Sequence, residues 1–245
     1  MSKTMTPTFR KVDLHVHTPK SVCYGDSAAT PERIVDVALT NGLEAIAITD
    51  HNAVGAIDDI RRIAGKNGLF VFPGVELSTK SGHVIALFEL DTPVDKLEDF
   101  LDYVGVAREG WGDAHTLAAD GIENIFQKID EWGGIAIAAH IERWPSGFLE
   151  TKEPLRVKKE IHDSKYLSAL EITIPQSKDA WNAGQMRDFP KKYACIQGSD
   201  AHEPDEIGRR PVYIQMEQVS LEALRSAFRD YETKIIFPDE LPLGK

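Results

Sequence analysis

The sequence predicts an α/β protein built on a largely parallel sheet or barrel. Short β-branched apolar runs alternate with amphipathic segments, the alternation continues from end to end, and polar residues recur just after the apolar runs. Strands are expected over residues 12–17, 44–49, 69–75, 84–90, 135–139, 167–173, 193–197 and 212–216. The first intervening helix begins at Thr30-Pro31-Glu32, a capping residue followed by a proline suited to the first turn. Ile34, Val35, Ala38 and Leu39 then recur at helical spacing until Gly42 stops it. Further helices are expected near 54–65, 94–104, 122–132, 178–187 and 221–231, while 105–121 has weaker periodicity and reads as a loop or insertion. The alternation fails between residues 75 and 90, where only Thr79-Lys80-Ser81-Gly82 separates two strand-like runs. That is too short for a helical crossover, so a hairpin-like excursion is expected.

Composition narrows the class. A chain of 245 residues, 42% hydrophobic with 13 prolines and no repeat, low-complexity tract or linker, reads as one domain over residues 1–245. Apolar runs fall far short of the ~20 residues a bilayer demands, and the N-terminus lacks a signal-peptide run, so a cytoplasmic protein without membrane attachment is expected. Two cysteines, Cys23 and Cys195, make no disulfide framework and fit a reducing compartment. A net charge of −11 excludes binding of nucleic acid by broad phosphate neutralisation, and no stable duplex binding is expected; bound divalent cations would reverse the sign locally.

Chemistry gathers at the ends of the apolar runs. His15 and His17 close the first, Asp50 and His51 the second, Glu76 the third and His140 the fifth; Asp200 and His202 follow Gly198-Ser199 after the seventh. In a parallel barrel the carboxyl ends of the strands share one face, so these side chains are expected to converge. His15 and His17, two apart, point the same way and can grip one ion. Glu76 has two oxygens and can bridge two cations, and Asp200 adds an anionic oxygen. Histidine with carboxylates and no clustered cysteine suits Zn, Mn or Fe in a hydrolytic centre. Asp50 is read as a helix cap or as a support for a ligating histidine. His83 opens a strand rather than closing one, and spacing leaves it open. His115 and His162 have no neighbouring partner and read as structural.

Asp13-Leu14-His15-Val16-His17-Thr18, Thr49-Asp50-His51-Asn52, Pro73-Gly74-Val75-Glu76, Ala139-His140 and Gly198-Ser199-Asp200-Ala201-His202 together resemble the motifs of the PHP family, named for polymerase and histidinol phosphatase. The resemblance spans about residues 12–209. It implies a distorted (β/α)7 TIM-like barrel of PHP type carrying two to three divalent metal ions (Zn, Mn or Fe). The implied sites are His15, His17, Glu76 and Asp200; Glu76, His83 and His140; and His51 with His202. Where many members place a further ligand, this chain has Val22, Cys23 and Tyr24, and Cys23 or Asp26 is the available replacement.

The implied activity is hydrolysis of phosphate mono- or diesters by a metal-activated hydroxide, with Asp200, His202 and Glu76 in the catalytic machinery and Arg143 and Arg209 gripping nonbridging oxygens. The expected partner is a small phosphorylated metabolite, a nucleotide or an oligonucleotide end, with nucleotides preferred and Trp144 and Phe148 available to stack a base. Two alternatives stand beside it: an amidohydrolase-like C–N hydrolase and a non-catalytic metal-stabilised module. Oligomeric state has no signature in the sequence.

Overall fold

A computed structural model describes residues 8–241. Nine strands form one sheet in the order β7-β6-β5-β4-β3-β2-β1-β8-β9. These are β1 (Phe9–Val16), β2 (Ala45–Ile48), β3 (Phe70–Thr79), β4 (Gly82–Leu87), β5 (Ile135–Ala138), β6 (Leu167–Glu171), β7 (Ala194–Ile196), β8 (Val212–Gln215) and β9 (Ile235–Ile236). The helices are α1 (Pro31–Thr40), α2 (Ile57–Ala64), α3 (Val94–Tyr103), α4 (Ile122–Glu131), α5 (Leu155–Asp163), α6 (Lys178–Ala183), α7 (Leu221–Arg229) and α8 (Tyr231–Lys234).

β1, β2 and β3 run parallel, as do β5, β6 and β7, but β4 runs antiparallel to both its neighbours. The chain after β7 returns to β1, where Asp200 N donates to His15 O at 2.9 Å and His17 N to Ala201 O at 3.1 Å. These bonds nearly close strands β1 to β7 into a distorted (β/α)7 barrel of TIM-like type, while β8 and β9 continue the sheet beyond β1 as antiparallel strands.

Local chemistry explains the elements. Every residue of β2 (AIAI) and β5 (IAIA) is buried, the composition of strands covered on both faces. Thr30 caps α1 by accepting from Arg33 N at 3.3 Å, Pro31 occupies the first turn, and Ile34 and Val35 bury to 1% exposure. Each such burial stabilises by about 1.5–3 kcal/mol. The stretch between residues 75 and 90 is a β3–β4 hairpin registered through Thr79 and Gly82. Gly74 permits its close pairing, because a Cβ there would lie 2.7 Å from Ala86 O.

Two elements, α5 and β9, lie outside expectation and several boundaries shift: β3 runs on to Thr79, β4 spans Gly82–Leu87, β6 ends at Glu171 and α6 stops early. α5 was not anticipated: its buried residues are only Ile161 and His162, too sparse a stripe to announce a helix. α6 stops at Ala183 rather than near residue 187, because Gly184 turns left-handed at φ 66°. β9 is two residues long and carries no period of its own. Residues 105–121 are irregular apart from a short 3-10 turn at Arg108–Gly110.

Candidate metal centre

Each of the strands β1 to β7 delivers at least one polar side chain to a single rim. His15 and His17 come from the end of β1, Asp50 and His51 from beyond β2, Glu76 from β3, His140 from beyond β5, Glu171 from β6, and Asp200 and His202 from beyond β7. His83 joins them because β4 is reversed, so that its first residues lie at the rim where the other strands end.

Glu76 is the hub. Its Oε1 lies 2.8 Å from His140 Nε2 and 3.0 Å from His83 Nδ1. Its Oε2 lies 2.9 Å from His51 Nδ1, 3.3 Å from His17 Nε2 and 3.4 Å from His15 Nε2. Asp200 Oδ1 faces the same space, 3.1 Å from His17 Nε2, 3.2 Å from His15 Nε2 and 3.7 Å from His202 Nδ1. Five imidazoles around one fully buried carboxylate exceed what two oxygens can pair. Glu76 Oε2 and His51 Nδ1 are accordingly buried without a hydrogen bond despite their proximity. Buried polar atoms left unpaired are costly, and electron pairs aimed at a common space are satisfied by cations. The donor set of nitrogen and carboxylate oxygen fits divalent first-row metals.

Three groups of donors have their ligand atoms within 4.8 Å of one another: His15, Glu76, His140 and Asp200; His51, Glu76 and His83; and His17, His51 and His202. All eight residues of the sequence-derived set are therefore gathered, with His140 falling beside His15 as well as His83, and His17 beside His51 and His202. Neither Cys23 nor Asp26 enters any of these groups among the described residues. Cys23 is exposed, and the Asp26 carboxylate accepts from Ala28 N at 3.0 Å.

Supporting contacts fix the imidazoles. His15 Nδ1 bonds Glu171 Oε2 at 2.8 Å, and the same oxygen accepts from His140 N at 3.0 Å. Asp50 Oδ1 accepts from Thr18 N and Ser21 Oγ, both at 2.7 Å. Ser21 Oγ in turn lies 3.0 Å from His17 Nδ1 and accepts from His51 N at 3.1 Å. Asp50 thus steadies two histidines through Ser21. It caps no helix, since α2 begins after Ala56. Asp13 accepts from Ser199 N at 3.0 Å and Gly208 N at 2.8 Å, holding the loop that carries Asp200. His140 and Asp200 have φ of 26° and 50°, a left-handed backbone that these non-glycine residues hold only where surroundings enforce it.

The electrostatics follow from burial and facing charge. Burial opposes the ionised form of Glu76, but His51, His15 and His83 outweigh it and hold the carboxyl well below its ordinary value. His15 is likewise opposed by burial, yet Glu171 and Glu76 raise it to about 10, while Glu171 falls to about 2. Burial lowers His51 and His140, and burial with the neighbouring His17 and His51 lowers His202 to about 3, so these rings keep their electron pairs for coordination at neutral pH.

The arginines differ. Arg143 contacts Asp200 Oδ2 directly. Arg209 is engaged elsewhere: its Nε donates to Ser199 O at 3.1 Å and its Nη1 meets Glu206. Sequence reasoning missed Arg210, whose Nε and Nη2 are buried without partners; burial lowers Arg143, and the charge of Arg210 adds to that lowering. It also missed Glu171, which lies inside the run expected to reach Thr173 but closes β6 in the structure. Phe148 is 1% exposed and packed against Gly82, so it has no face for a base, whereas Trp144 is 76% exposed. His162 packs among Trp181, Phe189 and Tyr193, and His115 is exposed; neither joins the centre.

A nearly closed α/β barrel with a histidine–carboxylate cluster at the strand ends defines a class of metal-binding barrel proteins. The PHP domain family model matches residues 13–100. An uncharacterized protein of Methanocaldococcus jannaschii is 31% identical over 137 residues, covering 53% of this chain and 67% of that protein. The chain belongs to the PHP family. It is also similar to a 3',5'-nucleoside bisphosphate phosphatase of Chromobacterium violaceum, 31% identical over 31% of this chain and 28% of that enzyme. Among solved structures, the lesion-specific endonuclease Q of Pyrococcus furiosus superimposes with a TM-score of 0.70 at 20% identity, over 93% of this chain and 58% of that one. The chain therefore spans little more than half of endonuclease Q and under a third of the phosphatase. No helix among the described residues is long and apolar enough to cross a membrane.

Proposed function

We propose that the chain is a metal-dependent phosphoric ester hydrolase acting on nucleotides, oligonucleotide ends or small phosphorylated metabolites. The observation that carries this reading is Glu76, one buried carboxylate facing five imidazoles with Oε2 left unpaired. Two or three divalent cations fit here, held by His15, His17, His51, Glu76, His83, His140, Asp200 and His202. Bound in such a centre, divalent cations supply Lewis acidity, turning water into a nucleophile at neutral pH and drawing charge from phosphoryl oxygens.

The chain's own residues do the rest. Glu76 joins the donor groups into one centre, and Asp200 holds its open side together with Arg143, which can transfer its grip from Asp200 to a nonbridging phosphate oxygen. His202, the most exposed of the imidazole donors at 27%, stands nearest solvent to serve a departing alkoxide. Arg209 is placed to hold the Ser199 carbonyl, and substrate contact from it requires release of Glu206. Residues 8–241 act as one domain, in keeping with a single buried core that includes residues from β1 to β9.

One purified sample tests the reading. Elemental analysis is followed by phosphate release from nucleoside monophosphates, bisphosphates and histidinol phosphate, and by release of mononucleotides or strand cleavage for short oligonucleotides and a DNA duplex, the last because a solved endonuclease Q complex holds a duplex with an abasic lesion. Turnover on the smaller substrates and little on the duplex is expected, and Asp200→Asn should cost at least about 100-fold with the fold intact. Ammonia release without phosphate, or undiminished turnover in that variant, would overturn the proposal.

A further inference from the structure

The barrel end opposite the metal centre carries a second concentration of charge, opposite in sign to the chain as a whole. Lys165 in the connection into β6, Lys191 and Lys192 in the connection into β7, and Arg225 and Arg229 on α7 line one cavity of about 320 Å³, and no aspartate or glutamate lines it. In a chain with 39 acidic against 28 basic residues, five cations drawn from three parts of the fold around one cavity are not what composition delivers.

These cations are held in place, and three of the five, Lys165, Lys191 and Lys192, enter no ion pair among the described residues. Lys191 Nζ donates to Ser164 O at 2.5 Å and lies 4.5 Å from the centre of the Tyr193 ring. Arg225 donates to Gly133 O and Gly134 O at 3.0 and 2.5 Å, with an Asp130 oxygen 4.0 Å away. Backbone carbonyls and ring faces orient a cation but leave its full charge in place. Arg229 pairs with Glu222 at 3.0 Å, between two exposed side chains where the pairing is weak. Lys165 lies 4.8 Å from the Tyr166 ring centre, and among the described residues neither it nor Lys192 enters an ion pair. Like charges converging on a concave surface focus a field that an anion relieves.

We infer that this cavity binds a small polyanion of the oligophosphate class, such as the phosphate chain of a free nucleotide. Its volume lies within the range of small-molecule sites. Tyr231, half-buried in the same lining with its hydroxyl donating to Asn182 O at 2.8 Å, presents a fixed ring beside the cations. A long nucleic acid is disfavoured, because beyond this cavity the net charge of the chain repels a continuous phosphate backbone. The site is separate from the metal centre: Leu167 lines the cavity at one end of β6, and Glu171 supports His15 at the other, about 13 Å along the strand. Binding here does not depend on whether the centre hydrolyses esters.

The test is calorimetric titration of inorganic tripolyphosphate into the full chain at low salt, with ATP, AMP and a short oligothymidylate as parallel titrants. Three proteins are compared: the parent, Lys165→Glu with Lys192→Glu, and Lys66→Glu with Lys152→Glu, two exposed lysines outside the cavity lining. Tripolyphosphate and ATP are expected to bind the parent more tightly than AMP does, to lose at least about tenfold in affinity on charge reversal at the cavity, and to bind the variant reversed outside it as they bind the parent. Thermal unfolding verifies the cavity variant; should it fail to fold, Lys165→Gln with Lys192→Gln replaces it, with a smaller loss in the same direction. Absence of tripolyphosphate binding, affinity indifferent to both cavity substitutions, or an equal loss when the charges outside the cavity are reversed overturns the inference. Tighter binding of oligothymidylate than of tripolyphosphate also overturns it, in favour of a nucleic-acid track.

Discussion

Glu171 Oε2 bonds His15 Nδ1 at 2.8 Å, and both side chains are buried to 1% exposure or less, so a second carboxylate stands behind the ring that faces Glu76. Such a partner fixes the tautomer that presents Nε2 to a cation and raises the basicity of the ring. Because Glu171 also accepts from His140 N, one side chain orients two donors on different strands.

Glu171→Gln keeps the shape and removes the charge. Metal affinity is expected to fall about 10- to 100-fold, measured by competition with a chromogenic chelator. Unchanged affinity would show that the contact only packs the ring.

Gly198→Ala tests how tightly the same corner is built. A Cβ at Gly198 would meet His15 Cβ at 2.7 Å and Glu171 Oε1 at 2.8 Å, so His15 has to move. Metal content after dialysis should drop, whereas Gly121→Ala, where a Cβ meets nothing within 4 Å, should retain it. Equal metal content in the two variants counts against a rigid centre.

The arginines separate in steady-state kinetics. Arg143→Ala removes a cation in contact with Asp200 and should raise KM and lower kcat, together costing roughly 2–3 kcal/mol of transition-state stabilisation. Arg209→Ala removes a group committed to Ser199 and Glu206 and should change kcat/KM by less than about threefold. The reverse order would mean that Arg209 swings inward when substrate binds.

The thiols offer a check on the fold that needs no activity. Burial raises Cys195 far above the ordinary thiol range and removes it from solvent, while Cys23 is exposed, although partial burial raises it as well. A thiol reagent should modify one cysteine in the native chain and both in denaturant. Rapid modification of both under native conditions would contradict the packing around β7.

Much of this architecture is written in the sequence because strand-end chemistry and strand composition coincide. The alternating runs mark β1 to β8, and the residues closing them are those that meet at the rim; the Thr79–Gly82 interruption marks the hairpin. What is not legible depends on three-dimensional direction. Glu171 lay inside a run extended to Thr173, so it looked like a strand residue rather than a strand end. Arg209 and Arg210 are adjacent, and no spacing rule tells which guanidinium turns inward. α5 hides because it buries so little, and Phe148 looked available for stacking only because its place in the core cannot be read from its neighbours.

The reversal of β4 has a kinetic consequence. Glu76 and His83 sit seven positions apart in one hairpin, so their juxtaposition requires only local chain closure. Asp200 and His202 arrive from the far end of the chain and meet His15 only when the last loop docks on β1. The difference in loop length predicts an order of assembly, with the Glu76–His83 contact forming before the loop carrying Asp200 docks on β1. A cation captured at that contact would favour the final docking, linking ion supply to the rate at which the barrel becomes whole.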